Sequence, residues 1–321
     1  RCTEQPYDDT EDPQGRFRDK IKILSYPIQE FGGLLLAYLG PLPAPLLPRW
    51  DLYVMDDVLR DVGYAEVPCN WLQIMENSLD PVHVEWLHQN FYNYVVERMG
   101  KPGLQRMRQN HVKVGFDRFE YGIVKRRIIE GESEEDDDWK VGHPVVFPNM
   151  LRQGVVTKKN GAGFQIRVPI DDTHTAHWWY RCYRKSGSEG EQRTEDIPFY
   201  EVPVPQLAAN GQPQWQYLDN NSGQDIAAWM TQGAITDRST EALSRSDKGV
   251  ILYRQLLEEQ VGIMESGRDP MNVFRDPAKN LYLHLPTEEN FLAGQAAKSD
   301  RRTGASTKYS PILDGRKAGQ G

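Results

Sequence analysis

The stretch Asn70-Trp-Leu-Gln-Ile-Met-Glu-Asn77-Ser-Leu-Asp80-Pro-Val-His83-Val-Glu-Trp-Leu-His88-Gln-Asn-Phe91 sets how the rest of the chain is read. Its apolar residues (Trp71, Leu72, Ile74, Met75, Leu79, Val82, Trp86, Leu87) fit helical spacing better than alternation. Pro81 predicts a fresh helix start, with Asp80 as its N-cap. Two imidazoles lie five residues apart, and a carboxylate stands three residues before the first, in a chain with only seven His. Neutral imidazole is a good ligand for first-row transition metals. On an ideal helix, however, five residues rotate by about 140°. A metal shared by His83 and His88 therefore requires His88 near a helix end, or a local departure from α geometry.

Working outward, residues 1–20 are polar and rich in Asp, Pro and Gly, which predicts a loop. Segments 20–27 and 31–39 predict two strands joined by Ile28-Gln-Glu30, followed by a proline-rich boundary over 40–48 and a helix over 51–62. Residues 111–129 predict strand, turn, strand. Residues 130–138 carry seven acidic side chains in nine positions and predict an exposed loop. Further strands are predicted over 144–156, 163–170 and 174–184, the last two joined at Asp171-Asp172. The aromatic run 178–183 suits a sheet covered on one face by a helix. Residues 185–196 predict a loop. Helical signals return over 225–233, and a long helix is predicted over 239–267 with Gly267 as its C-cap. From Ala296 the chain is basic, small and polar, as in a flexible tail. Helix, antiparallel strands, then a long helix predicts an α+β domain: a curved antiparallel sheet gripping a long C-terminal helix, the helix-grip (START/Bet v1-like) arrangement, able to enclose a cavity.

The chain has 321 residues, 39% hydrophobic and 26% charged, as expected of a soluble globular protein. A net charge of -8 argues against nucleic acid as a partner, because phosphate binding wants a basic surface. Cys2, Cys69 and Cys182 form neither a disulfide framework nor a CxxC knuckle, which predicts a reducing, cytoplasmic setting. No apolar run is long enough to span a bilayer; the most apolar, 32–47, is broken by Pro41, Pro43 and Pro45.

Three segments together resemble one family. The run from Asn70 to His88 resembles the iron-binding signature of the large (alpha) subunit of Rieske non-haem iron aromatic ring-hydroxylating oxygenases. Tyr26-Pro-Ile-Gln-Glu-Phe-Gly-Gly-Leu-Leu-Leu-Ala-Tyr-Leu-Gly-Pro41 looks like the strand pair leading out of their Rieske domain. Gln224-Asp225-Ile-Ala-Ala-Trp-Met-Thr-Gln-Gly-Ala-Ile-Thr-Asp237-Arg238-Ser-Thr-Glu241 resembles the segment with the third iron ligand in the phthalate dioxygenase-like branch. The resemblance implies that His83, His88 and Asp225 bind a mononuclear Fe(II), and that Asp80 links this site to a [2Fe–2S] Rieske cluster in a neighbouring subunit. Asn77 matches a polar residue near the iron. NAD(P)H would supply electrons through a ferredoxin or flavin reductase to a homotrimer acting on O2 and an aromatic substrate. The family's Cys-x-His and Cys-x-x-His cluster motifs do not occur here, and Cys2-Thr-Glu-Gln-Pro6 looks like the segment just after them. The chain therefore looks truncated: 1–40 a remnant of the Rieske domain, 41–285 the catalytic iron domain, 286–321 a C-terminal extension.

Each candidate also has an ordinary role. His83 and His88 could be hydrogen-bonded imidazoles, and Asp80 simply a cap. Asp225 competes with Asp219, Asp237, Glu241 and Asp247. Arg152, Arg167 and Arg181 sit on predicted strands; one facing a cavity would suit a substrate carboxylate, one facing outward is a solvated charge. The expected activity is hydroxylation or O-demethylation of an aromatic acid or ether. The alternatives are a non-catalytic small-molecule binding module and a metal-dependent hydrolase.

Overall fold

The computed structural model describes residues 2–106, 109–156, 161–187, 189–288 and 308–318. A short helix α1 (Asp8–Glu11) precedes a hairpin of β1 (Ile28–Phe31) and β2 (Leu34–Ala37). Phe31 pairs with Leu34, so the turn is Gly32-Gly33, both at positive φ (61° and 86°). The expected turn at 28–30 is corrected accordingly. A two-residue hairpin loop needs φ > 0 at both positions, which two glycines accept without cost.

Next come α2 (Asp51–Val54) and β3 (Val58–Val67). The helix expected over 51–62 thus lasts one turn and gives way to a strand. Val58, Val62, Ala65 and Val67 are buried there between two covered faces, a setting in which tertiary packing overrides local preference. After α3 (Trp71–Asn77), the chain makes α4 (His83–Glu85), a π-helical segment (Trp86–Phe91) and α5 (Tyr92–Arg98).

Strands β4 (His111–Phe119) and β5 (Gly122–Ile129) follow as expected. The acidic run is exposed through Asp136 but then enters α6 (Asp137–Lys140), where Asp138 turns inward to a buried pair with Arg127 at 2.7 Å. The single strand expected over 144–156 is two, β6 (His143–Val146) and β7 (Met150–Gln153), because Pro148 interrupts the ladder. Strands β8 (Ala162–Asp171) and β9 (His174–Arg184) pair across the Asp-Asp turn, and β10 (Phe199–Glu201) adds a parallel edge beside β3. Helices α7 (Trp215–Leu218), α8 (Asn221–Met230) and α9 (Lys248–Glu265) complete the set. The long helix starts later than the expected 239, after a capping box between Ser244 and Asp247. Gly267, just beyond it, has φ 77°, as a C-terminal glycine should.

The eight-stranded sheet runs β10-β3-β9-β8-β7-β6-β5-β4, antiparallel except at the β10 edge. Alternation along the strands divides two cores. Ile123, Val145 and Leu151 face Met75 and Leu79 and the α9 residues Val250, Tyr253 and Leu256. Further along the same face, Ala65 and Trp179 meet Ile74 together with Ile226 and Trp229 of α8. Val146, Met150, Phe164 and Tyr180 face the other way, onto Trp50, Tyr53, Leu283 and Leu285. Each fully buried large side chain contributes about 2 kcal/mol. This is the α+β helix-grip arrangement, and it puts α3, α8 and α9 together on one face.

The free tail expected from Ala296 falls mostly on residues outside those described. Residues 308–318 are docked, a correction to that expectation: Ser310 donates to Asp61 on β3, Lys308 pairs with Asp219, and Tyr309 packs against the α8 core. The helix Pro311–Ala318 ends the described chain. No helix among the described residues is long and apolar enough to cross a membrane.

Candidate metal centre

The loop between α3 and α4 builds the site. Asp80 Oδ1 accepts from the Val82 N–H at 2.8 Å and Oδ2 from the His83 N–H at 3.2 Å, so Asp80 caps the new helical start as its position suggested. Asn77 is the last residue of α3, and its carbonyl accepts from the Asp80 N–H at 3.1 Å. The π-helical turn then reconciles the five-residue spacing. Widening the turn brings i and i+5 onto one face, and such turns are frequent at functional sites. The His83 and His88 rings stand 5.1 Å apart at 78°.

Each ring is fixed by its Nδ1. That of His83 donates to the Asp80 carbonyl at 2.6 Å. That of His88 donates to Gln224 Oε1 at 2.8 Å, while the Gln224 amide donates to the Leu218 carbonyl at 2.8 Å. With both Nδ1 protonated, both Nε2 lone pairs are free. They converge on Asp225 Oδ1, at 3.1 Å from His88 and 3.9 Å from His83. The ligand atoms of all three residues lie within 4.8 Å of one another, the one such group of His, Cys, Asp or Glu among the described residues. Two ligands about 2.1 Å from one ion at right angles would stand about 3.0 Å apart.

The electrostatics favour a cation here. Burial, then the nearby His88, pushes His83 down to about 3, so it is neutral at ordinary pH. Burial works to raise Asp225, but His88, His83 and Arg167 outweigh it and hold the carboxyl below its usual range. Asp225 Oδ1 has no hydrogen-bond donor of its own among the described residues. A buried carboxylate oxygen facing two imidazole lone pairs is a poor contact by itself and a good donor set for a divalent metal. The residues therefore fit a mononuclear ion with open positions. A [2Fe–2S] cluster does not fit: Cys69 and Cys182 are buried singly, and no second metal-binding group occurs among the described residues.

Of the competing acids, Asp219 is taken by Lys308, while Glu241 binds Arg238 and Arg254. Asp237 caps Ser239 and Asp247 closes the capping box. The three arginines part ways. Arg152 lies over Phe164 in the far core and reaches Asp51 at 3.4 Å. Arg181 pairs across strands with Asp61, whose carboxyl burial raises to about 6. Arg167 faces the helix-covered side and acts on Asp225. Gln224, the partner of His88, has no signal in the sequence beyond directly preceding Asp225. His177 likewise escapes the motif reading; it pairs with Arg167 across β8 and β9, a register that counting back from the Asp171-Asp172 turn nearly delivers.

No family model matches the chain. The 5,5'-dehydrodivanillate O-demethylase oxygenase subunit of Sphingobium sp. (strain NBRC 103272 / SYK-6) is 35% identical over 308 residues, 95% of this chain and 68% of that protein. The phthalate 4,5-dioxygenase oxygenase subunit of Pseudomonas putida is 27% identical over 284 residues, 77% of this chain and 61% of that protein. Among solved structures, the Pseudomonas putida CBB5 NdmA QL mutant with theobromine matches with a TM-score of 0.47 at 14% identity, covering 75% of this chain and 62% of that one. The chain thus spans about two thirds of the length of the relatives it matches.

Proposed function

The chain belongs to the Rieske non-haem iron aromatic ring-hydroxylating oxygenases, as the large subunit, and from that premise we propose that it activates O2 at a mononuclear Fe(II) to hydroxylate or O-demethylate an aromatic acid or ether. The observation that carries this is the convergence of two oriented Nε2 atoms on a buried, undonated carboxylate oxygen.

In this proposal His83, His88 and Asp225 are the ligands. Ferrous iron, when bound, supplies the electrons and orbital access that let inert O2 react with an aromatic molecule. The chain's own contribution is orientation and exclusion of water. The Asp80 carbonyl and Gln224 hold the two rings in the tautomer that exposes Nε2. Asn77, the last residue of α3, is the proposed polar neighbour of the site. Asp80, its side chain partly exposed and 3.7 Å from His83 Nδ1, is the group proposed to face an electron donor. Electrons would come from NAD(P)H through a ferredoxin or flavin reductase and a [2Fe–2S] cluster, with subunits assembled as a homotrimer; no described residue is assigned to the cluster. Residues 41–285 are the proposed catalytic unit.

Metal analysis after anaerobic loading with Fe(II) tests the reading. About one iron per chain is expected, lost in His83→Ala and in Asp225→Ala. Full occupancy in both variants overturns the ligand assignment. Zinc with oxygen-independent hydrolysis points to a hydrolase, and no metal at all to a binding module.

A further inference from the structure

The turn that carries His88 is gripped from outside by the chain leading into β4. Glu85, Gln89 and Asn93 recur every four residues along the helical run, and each side chain holds a backbone group of that chain. Glu85 Oε2 accepts from the His111 N–H at 3.1 Å and Gln89 Oε1 from the Gln109 N–H at 2.6 Å. Asn93 holds both backbone groups of Arg106: its Oδ1 accepts from the N–H at 2.7 Å and its amide donates to the carbonyl at 2.9 Å. With its backbone fixed there, Arg106 sends its side chain back across the helix. The guanidinium lies 4.1 Å from the centre of the Tyr92 ring, and Nη1 donates to the His88 carbonyl at 2.8 Å. The same nitrogen is 3.5 Å from Oδ1 of Asn221, the first residue of α8. Asp225 follows Asn221 by about one helical turn. Arg106 therefore stands where the element carrying His88 meets the element carrying Asp225.

We propose that Arg106 is a positioning residue of the metal centre: its guanidinium fixes the His88 backbone against the start of α8 and so sets the separation of His88 Nε2 from Asp225 Oδ1. This rests on the metal-centre reading and adds a determinant of its geometry. Side-chain donors that enter the carbonyl ladder of a helix accompany local departures from α geometry, and the π turn is such a departure. Gln224 fixes the direction of the His88 ring but not the place of the backbone that bears it. Arg106 supplies that place. Its hydrogen bond to the carbonyl is charge-assisted, and stacking on Tyr92 holds the planar fork in a set orientation.

The test titrates metal-free protein with Co(II), following visible absorption. Arg106→Met keeps an apolar stem over Tyr92 and removes the donor. It should bind Co(II) about 10- to 100-fold more weakly, the usual loss when a group that orients a ligand is removed. Its Co(II) absorption band should also change, because two of the ligands no longer hold their separation. Arg106→Lys, which keeps the charge and a single donor group, should fall between the two in affinity. Arg98 stacks on Tyr94 at the end of α5, away from the ligands, and Arg98→Met should stay within about twofold of the unaltered protein. Unchanged affinity and band in Arg106→Met overturn the proposal. So does an equal loss in Arg106→Met and Arg106→Lys, since a restored donor would then bring no rescue, or an equal loss in Arg98→Met. Should Arg106→Met not fold, Arg106→Lys decides: binding at least about threefold weaker with an altered band supports the proposal, and an unchanged titration overturns it. Co(II) bound alike by the unaltered protein and the Arg106 variants sinks this proposal alone; no Co(II) bound by the unaltered protein sinks the metal centre and this proposal with it.

Discussion

His83 and His88 are held in different ways, and the difference is testable. The acceptor for His83 is a backbone carbonyl of its own loop, which no substitution removes. The acceptor for His88 is the side chain of Gln224, 136 residues away and fully buried. Gln224→Leu keeps the volume and removes the acceptor. It should weaken metal binding about 10- to 100-fold, read by Co(II) titration, whereas Gln224→Glu, which keeps an acceptor, should stay nearer the parent. Equal affinity in all three would mean that His88 needs no such support. The two histidines were legible in the sequence because imidazole is scarce and the pair is close. Gln224 was not, because glutamine is an ordinary helix residue and only the fold brings it to His88. Arg152 shows the converse: strand parity alone could not tell it from Arg167, since both sheet faces are covered and both arginines are buried.

At the scale of elements, the decisive one is the π-helical segment Trp86–Phe91. Its extra residue per turn is what lets a five-residue spacing serve one site. Deleting Leu87 should restore an ordinary helix, leave the helical circular dichroism signal within about a tenth of the parent, and abolish metal binding; retained metal would show that the turn is incidental. The helix–helix contact is equally specific. Gln73 on α3 donates to the carbonyls of Trp229 and Gly233 and accepts from the Thr236 N–H, tying α3 to the end of α8. Gln73→Ala would orphan these groups and should cost about 3 kcal/mol of stability, measured by denaturant unfolding. The antiparallel strands and the final helix could be foreseen from alternation and period. The β3 strand and the parallel β10 edge could not, because their stability comes from neighbours distant in sequence rather than from their own composition.

The whole molecule keeps several imidazoles neutral in its interior, and that makes its stability depend on acidity. His177 is held well below 6.5 by burial and by Arg167 and Arg181, and His83 is pushed to about 3. In the unfolded chain such groups take up protons below about 6.5, while in the folded state they do not. Their contribution is therefore complete above pH 6.5 and is lost as pH falls through the window from about 6.5 to 3. Each adds about 1.4 kcal/mol per pH unit there. Metal-free protein should show a denaturation midpoint that is flat from pH 8 to 7 and falls steeply below 6; a flat profile down to pH 4.5 would contradict the neutral assignment. The docking of Ser310 against Asp61, and of Lys308 against Asp219 next to α8, bears on biosynthesis. A nascent polypeptide emerging from the ribosome would have its first two ligands before Asp225, and gain the clasp at Ser310 only after it. Until then the half-made chain would expose its unclosed interior, and chaperones would have their longest opportunity to act on it.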